Sequence, residues 1–219
     1  MPRTRIKICG ITRVDDALVA AQAGADAIGF VLWPGSPRGV TVAAARAIAE
    51  ALPPFVTTAG LFVDAAADDV RQACAGVPLA VLQFHGAERP DFCRTFGRPY
   101  VKAVPVGPDA TEVDLLEYAA RYHDACGLLF DSPPSGGLPG GTGQTFDWQA
   151  LPQDLPRPLV LSGGLTAANV GEAIRRMRPW AVDVSSGVEA IGADGTPIRG
   201  RKDPARIVAF MEAVRNADD

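Results

Sequence analysis

Short runs of apolar, strand-forming residues alternate with longer Ala-rich stretches whose apolar positions recur at helical spacing. The strand-type runs fall at 6–9, 27–32, 58–62, 80–84, 100–104, 127–130, 159–161 and 181–184. Helical patterns fall at 15–23, 41–51, 67–75, 89–96, 112–123, 169–177 and 204–216. Thr41 and Thr166 stand where helix caps are expected, and Asp203-Pro204 supplies a cap followed by a proline at the first helical position. Gly24 stands where a left-handed residue ends a helix. Strand followed by helix, repeated, predicts parallel strands joined by crossovers. An open doubly wound sheet shares this alternation. Eight strand units in 219 residues favour a closed (β/α)8 barrel, a single domain over residues 1–219. The Pro/Gly-rich stretch 132–143, SPPSGGLPGGTG, lies between the sixth and seventh strands and reads as a long active-site loop.

Composition narrows the class. Hydrophobic residues make up 47% of the chain, enough for a sizeable core, and the net charge is −4. No basic stripe stands out, so nucleic acid is not an expected partner, and an anionic substrate must be met by local donors. No apolar run is long enough for a membrane span, and MPRTRIKICGIT lacks a signal-peptide core. Cys9, Cys74, Cys93 and Cys126 form no Cys-x-x-Cys pair and read as free thiols in a reducing compartment. A cytoplasmic protein is expected. No His/Asp/Glu cluster has metal-ligand spacing, so no metal is expected.

In a (β/α)8 barrel the chemistry sits at the C-terminal ends of the strands. Gly163-Gly164 follows the seventh strand and Ser185-Ser186-Gly187 the eighth. Each alone is an ordinary turn. Two at the ends of the last two strands predict a phosphate site, where backbone N–H groups approach the oxygens closely. Gly141, within 140–143, is expected to close over the same phosphate. On the first strand, side chains alternate faces: Ile6 and Ile8 point toward the helices, Lys7 and Cys9 into the barrel mouth. An ammonium two residues away is expected to favour the Cys9 thiolate. The other three cysteines read as inert structural thiols. Asp131 ends the sixth strand with no helix behind it, beneath the long loop, where a carboxyl can stay protonated. A thiolate base and a carboxylic acid over one substrate can move protons on carbon.

Arg38, after the second strand, reads either as a bidentate clamp for a substrate carboxylate or as a solvated loop arginine. Asp183 points inward as a pocket residue or as a structural partner of Lys7. Gln83 and His85 point inward from the fourth strand and line the pocket, whereas His123, near a helix end, is read as solvated.

Together these residues resemble the phosphoribosylanthranilate isomerase family of tryptophan biosynthesis. The likeness runs through nearly the whole chain: KICGIT; Asp16-Ala17, Gly24-Ala25-Asp26 and Gly29-Phe30; Ser36-Pro37-Arg38; Gln83-Phe84-His85-Gly86; Asp131; Gly140 to Gly143 with Thr145-Phe146-Asp147-Trp148; Ser162-Gly163-Gly164-Leu165; Asn169-Val170; Asp183 to Glu189; and Lys202-Asp203. The resemblance implies an Amadori rearrangement of a phosphosugar, N-(5-phosphoribosyl)anthranilate, without a cofactor. It makes Asp131 the general acid that opens the furanose ring and Cys9 the general base that takes the C2′ proton. It places Arg38 on the anthranilate carboxylate with Lys7, Gln83, His85 and Asp183 around the substrate, and Gly163, Gly164, Ser185, Ser186 and Gly187 on the phosphate. Gln144 replaces the family's usual lysine, Ala168 its usual asparagine, and 190–201 is longer than the family norm. Another phosphosugar-barrel isomerase, epimerase or lyase, or a non-catalytic phosphosugar-binding barrel, are the alternatives. A histidine-pathway isomerase would carry Asp in place of Cys9. Monomer and homodimer are equally compatible with the sequence.

Overall fold

A computed structural model describes residues 3–132, 145–152 and 154–218. The barrel strands are β1 (Arg5–Cys9), β2 (Ala27–Val31), β3 (Thr57–Phe62), β4 (Val81–Phe84), β5 (Tyr100–Pro105), β6 (Gly127–Asp131), β7 (Leu159–Leu161) and β8 (Ala181–Val184). Each pairs in parallel with the next, and β8 pairs with β1 to close the barrel. The helices are α1 (Val14–Ala23), α2 (Val42–Ala51), α3 (Ala67–Gly76), α4 (Pro90–Arg94), α5 (Glu112–Arg121), α6 (Val170–Met177) and α7 (Pro204–Asp218). Closure removes the unpaired edges of an open sheet.

Local chemistry sets several boundaries. Thr41 Oγ1 accepts from Ala44 N at 3.2 Å, and Asp203 Oδ1 accepts from Ala205 N at 2.8 Å and Arg206 N at 3.1 Å. Gly24 ends α1 with φ +98°. Thr166 does not cap α6, which starts four residues later. The Asn169 carboxamide instead reaches back, accepting from Thr166 N at 2.8 Å and donating to Gly164 O at 3.0 Å. It thereby ties the turn after β7 to the start of α6.

Two further stretches depart from the sequence pattern. Among the described residues no α-helix lies between β6 and β7, only a 3-10 turn at Trp148–Ala150. Pro152, Pro156 and Pro158 follow it and deny a helix its amide donors. The stretch 190–201 is largely an antiparallel hairpin, β9 (Glu189–Ile191) with β10 (Pro197–Lys202), turning at Asp194-Gly195. Residues 133–144, including the expected Gly141 contact and Gln144, lie outside the described residues.

The core has two zones. Between sheet and helices, Ile8, Ile28, Phe30, Leu82, Phe84, Leu128, Phe130 and Val182 are wholly buried. Burying each such side chain stabilises the fold by about 1.5–3 kcal/mol. Inside the barrel mouth a small apolar group, Cys9, Val31 and Leu61 with Trp33 and Val63, forms part of the pocket wall. Thr4 donates to Asp218 through N at 2.8 Å and Oγ1 at 2.6 Å, fastening the start of the barrel to the last helix.

Candidate active site

Strand register builds one side of the pocket. β1 and β8 align Lys7 with Asp183, and the Lys7 ammonium donates to both Asp183 oxygens at 2.9 Å. β1 and β2 align Cys9 with Gly29. A Cβ on Gly29 would stand 2.9 Å from both Cys9 Sγ and Lys7 Cε, so glycine there leaves room for the thiol and the ammonium. Burial works against the charge on Lys7, but Asp183 and the Cys9 sulfur outweigh it and raise its pKa. Burial raises the Cys9 pKa, Lys7 opposes it and Asp183 adds to it, with a net rise. This reverses the expectation that Lys7 leaves a thiolate in the resting protein. Asp183 balances the ammonium, and the dry site favours the neutral thiol. Lys7 does not line the pocket. It lies behind the wall, where it orients Asp183 and Cys9, which do line it.

Asp131 ends β6 and also faces this pocket. Its Oδ1 accepts from Ser132 N at 2.8 Å, and its Oδ2 lies 3.2 Å from His85 Nε2, within ion-pair reach though not aligned as a hydrogen bond. The Gln83 amide nitrogen stands 3.0 Å from His85 Nδ1. An amide nitrogen only donates, so Nδ1 accepts and the neutral ring carries its proton on Nε2, toward Asp131. Beneath them, the wholly buried Lys102 donates to Phe84 O at 3.2 Å, Gly86 O at 2.5 Å and Glu88 Oε2 at 3.0 Å. Glu88 also accepts from Asp64 N and Gly86 N, both at 2.9 Å. This clamp fixes the turn that presents His85. An isolated lysine in the apolar run of β5 was its signal in the sequence.

The remaining wall comes from Ser162, Gly163, Gly164 and Leu165 after β7, and from Ser185 and Ser186 after β8. Gly187 does not line the pocket. A Cβ there would fall 1.9 Å from Leu165 O, so its glycine lets the two turns pack together. Arg38 is buried and lines the pocket, which removes the solvated-arginine reading. Its Nε and Nη2 grip Glu189 at 2.6 and 2.9 Å, so the clamp edge expected for a substrate carboxylate holds a carboxylate of the protein itself. Burial pushes the Glu189 pKa up, but Arg38, Lys202 and the Gly200 N–H outweigh it and bring it down. Glu189 and Lys202 were visible in the sequence only as parts of motifs, without a role. His123 is exposed, Cys93 is buried in α4, and Cys126 is exposed. Among the described residues no three His, Cys, Asp or Glu side chains converge as metal ligands.

The pocket therefore presents a thiol, a carboxyl, an imidazole and two glycine- or serine-rich turns at one end of a closed barrel. Comparison with known proteins gives the family to which such a barrel belongs. The family model for N-(5'phosphoribosyl)anthranilate (PRA) isomerase matches residues 6–213. An N-(5'-phosphoribosyl)anthranilate isomerase of Pseudomonas savastanoi pv. phaseolicola is 52% identical over 214 residues, covering 98% of each chain. The crystal structure of phosphoribosyl anthranilate isomerase from Thermotoga maritima superposes with a TM-score of 0.83 at 40% identity, covering 97% of this chain and 99% of that one. A crystal structure of phosphoribosyl anthranilate isomerase in complex with reduced 1-(o-carboxyphenylamino)-1-deoxyribulose 5-phosphate gives a TM-score of 0.79 at 37% identity, with the same coverage. The chain belongs to the N-(5'-phosphoribosyl)anthranilate isomerase family.

Proposed function

We propose that Asp131 is the acid and Cys9 the base of the family's isomerisation, which in tryptophan biosynthesis converts N-(5'-phosphoribosyl)anthranilate to 1-(2-carboxyphenylamino)-1-deoxyribulose 5-phosphate. One observation carries the assignment: a buried thiol from β1 and a buried carboxyl from β6 open into the same pocket. Asp131 gives its proton to the ring oxygen. The C1′–O bond breaks and the anthranilate nitrogen lone pair forms a Schiff base. Cys9 takes the C2′ proton, and the electron pair moves into the cationic nitrogen to leave an enolamine. This tautomerises to the ketone as C1′ gains a proton and the C2′ hydroxyl loses one. The substrate's own nitrogen is the electron sink, so the scheme calls for no cofactor.

The raised pKa of resting Cys9 means that the thiol gives up its proton to solvent before it takes the C2′ proton. Asp183 neutralises Lys7, and the cationic Schiff base supplies a new positive charge, favouring the thiolate at the step that needs it. Gly163, Gly164, Ser185 and Ser186 are assigned to the phosphate, with Gly187 setting the shape of the second turn. Arg38, held by Glu189, is assigned to the carboxylate end, with Asp183, Gln83 and His85 around the reacting carbons and Lys7 behind. Among the described residues no helix is long and apolar enough to cross a membrane, and we place the reaction in the cytoplasm.

The test follows turnover of freshly formed substrate by loss of its anthranilate fluorescence. Cys9→Ala and Asp131→Ala, each with an unchanged circular dichroism spectrum, are expected to lose about 10²- to 10⁴-fold in kcat. A folded variant that keeps wild-type turnover would remove its residue from the assigned role.

A further inference from the structure

Lys202 takes no part in the scheme above, yet its side chain is wholly excluded from solvent at the end of β10. Its ammonium donates to Ser185 O at 2.9 Å and approaches Ser185 Oγ at 3.3 Å and Glu189 Oε1 at 3.5 Å. The Ser185 carbonyl and the Ser186 N–H belong to one peptide unit. A cation on that carbonyl draws electron density through the peptide and makes the N–H a stronger donor. Ser186 lines the pocket and Lys202 does not, so Lys202 reaches the pocket through this peptide.

The surrounding charge leaves Lys202 short of a partner. Glu189 gives both oxygens to Arg38, and its Oε1 also accepts from Gly200 N at 2.8 Å. Lys202 has only the longest of the contacts to that carboxylate. Two cationic side chains thus share one carboxylate, Glu189, as their side-chain partner in a dry site. From α1, Asp16 accepts only the backbone N–H of Lys202, at 3.0 Å, and from β1 the Cys9 sulfur attracts weakly. Burial pushes the Lys202 pKa down to about 8. Glu189 and Cys9 oppose the fall, and Arg38 adds to it.

We propose that Lys202 is a positioning residue for the phosphate end of the substrate, so that a phosphomonoester dianion binds the Ser185–Ser186 turn tightly only while Lys202 carries its proton. The proposal rests on the assignment of that turn to phosphate. The arriving dianion supplies the negative charge the cluster lacks and raises the affinity of Lys202 for its proton. The sign follows: affinity is complete below the pKa of the unliganded protein and declines above it, where each molecule bound must take up a proton.

The experiment measures binding of the reduced product, 1-(o-carboxyphenylamino)-1-deoxyribulose 5-phosphate in reduced form, and of its dephosphorylated counterpart. Both are titrated by anthranilate fluorescence between about pH 7 and about pH 9.5. A phosphomonoester is already dianionic across this range, its second pKa being about 6. Ionisation of Cys9 acts on both ligands and cancels in their ratio. The ratio of affinities, phosphorylated over dephosphorylated, is expected to fall by roughly ten- to thirtyfold across the range. In Lys202→Met the ratio should start low and stay flat, with KM raised more than kcat because Cys9 and Asp131 are intact. Lys202→Arg should keep the ratio high to the end of the range. A wild-type ratio that is large and independent of pH overturns the role of Lys202 while leaving the phosphate site in place. Equal affinity for both ligands at every pH overturns the phosphate assignment itself. The wild-type titration decides even where the Met variant does not fold.

Discussion

At the scale of single residues, Cys9 shows how far side-chain alternation reaches. Period-2 alternation places Lys7 and Cys9 on the same inward face, and the structure agrees. The sequence offered Asp183 as a partner for Lys7, but the sign of the effect on the thiol was not legible, because it depends on how close β1–β8 register brings that carboxylate to a sulfur 174 positions away. Asp183 both neutralises the ammonium and repels the thiolate. Replacing it with a neutral isostere removes both effects, so Asp183→Asn is expected to lower the Cys9 pKa. Below that pKa a lower value means more thiolate. Alkylation of Cys9 by iodoacetamide at neutral pH, followed by mass spectrometry of the Cys9 peptide, should run roughly three- to tenfold faster than in wild type. Equal alkylation would show Asp183 to be electrostatically silent, and slower alkylation would show that it favours the thiolate instead. The same limit explains Glu189 and Lys202. Each is one charged residue in a motif until the hairpin folds them against Arg38.

At the scale of elements, every barrel strand was legible to within about a residue, because parallel strands buried on both faces read as compact apolar runs. What escaped was structure with little apolar signal. The β9–β10 hairpin is short and mostly exposed, and its Asp194-Gly195 turn was its one local cue. The cap of α6 was misplaced because Asn169 spends its side chain on the Gly164 turn, a contact outside ordinary capping rules. Gly29, by contrast, was visible as a motif residue, but its reason lies in the pairing of β1 with β2. Gly29→Ala adds a methyl group against Cys9 and Lys7 where neither can retreat without disturbing Asp183. Such overpacking is expected to cost about 1–3 kcal/mol in urea unfolding and to lower kcat by displacing the thiol. Gly107→Ala, whose Cβ would meet nothing within 4 Å, is the control and should be nearly silent in both measurements. A silent Gly29→Ala would mean that the pocket wall yields more easily than its packing implies.

At the scale of the whole molecule, the pocket is a property of closure. Its walls come from the ends of β1, β2, β3, β4, β6, β7 and β8 and from the loop after β2, and no two neighbouring elements supply an acid, a base and an anion site together. The alternation of strand and helix in the sequence implied parallel strands. The pairing of β8 with β1, and the fastening of Thr4 to Asp218, bring the two ends of the chain together and could only be inferred from the count of units. A ligand filling this pocket bridges the β8–β1 seam as well as β6 and β7, so its binding energy should stabilise the barrel as one unit. The reduced product at about a hundredfold over its Kd should add about 2.7 kcal/mol to the unfolding free energy. For a chain of this size each kcal/mol moves Tm by about 2–4 °C, so Tm should rise by about 5–11 °C. Inorganic phosphate, meeting only the turns after β7 and β8, should give a smaller rise at the same multiple of its own Kd if it also binds partly unfolded forms that retain those turns. The calorimetric trace decides the matter. A single transition that moves as a whole means that acid, base and phosphate turns exist only in the closed barrel. A ligand-shifted transition preceded by an unshifted one would mean that part of the barrel melts without disturbing the pocket, and that the site depends on fewer strands than line it.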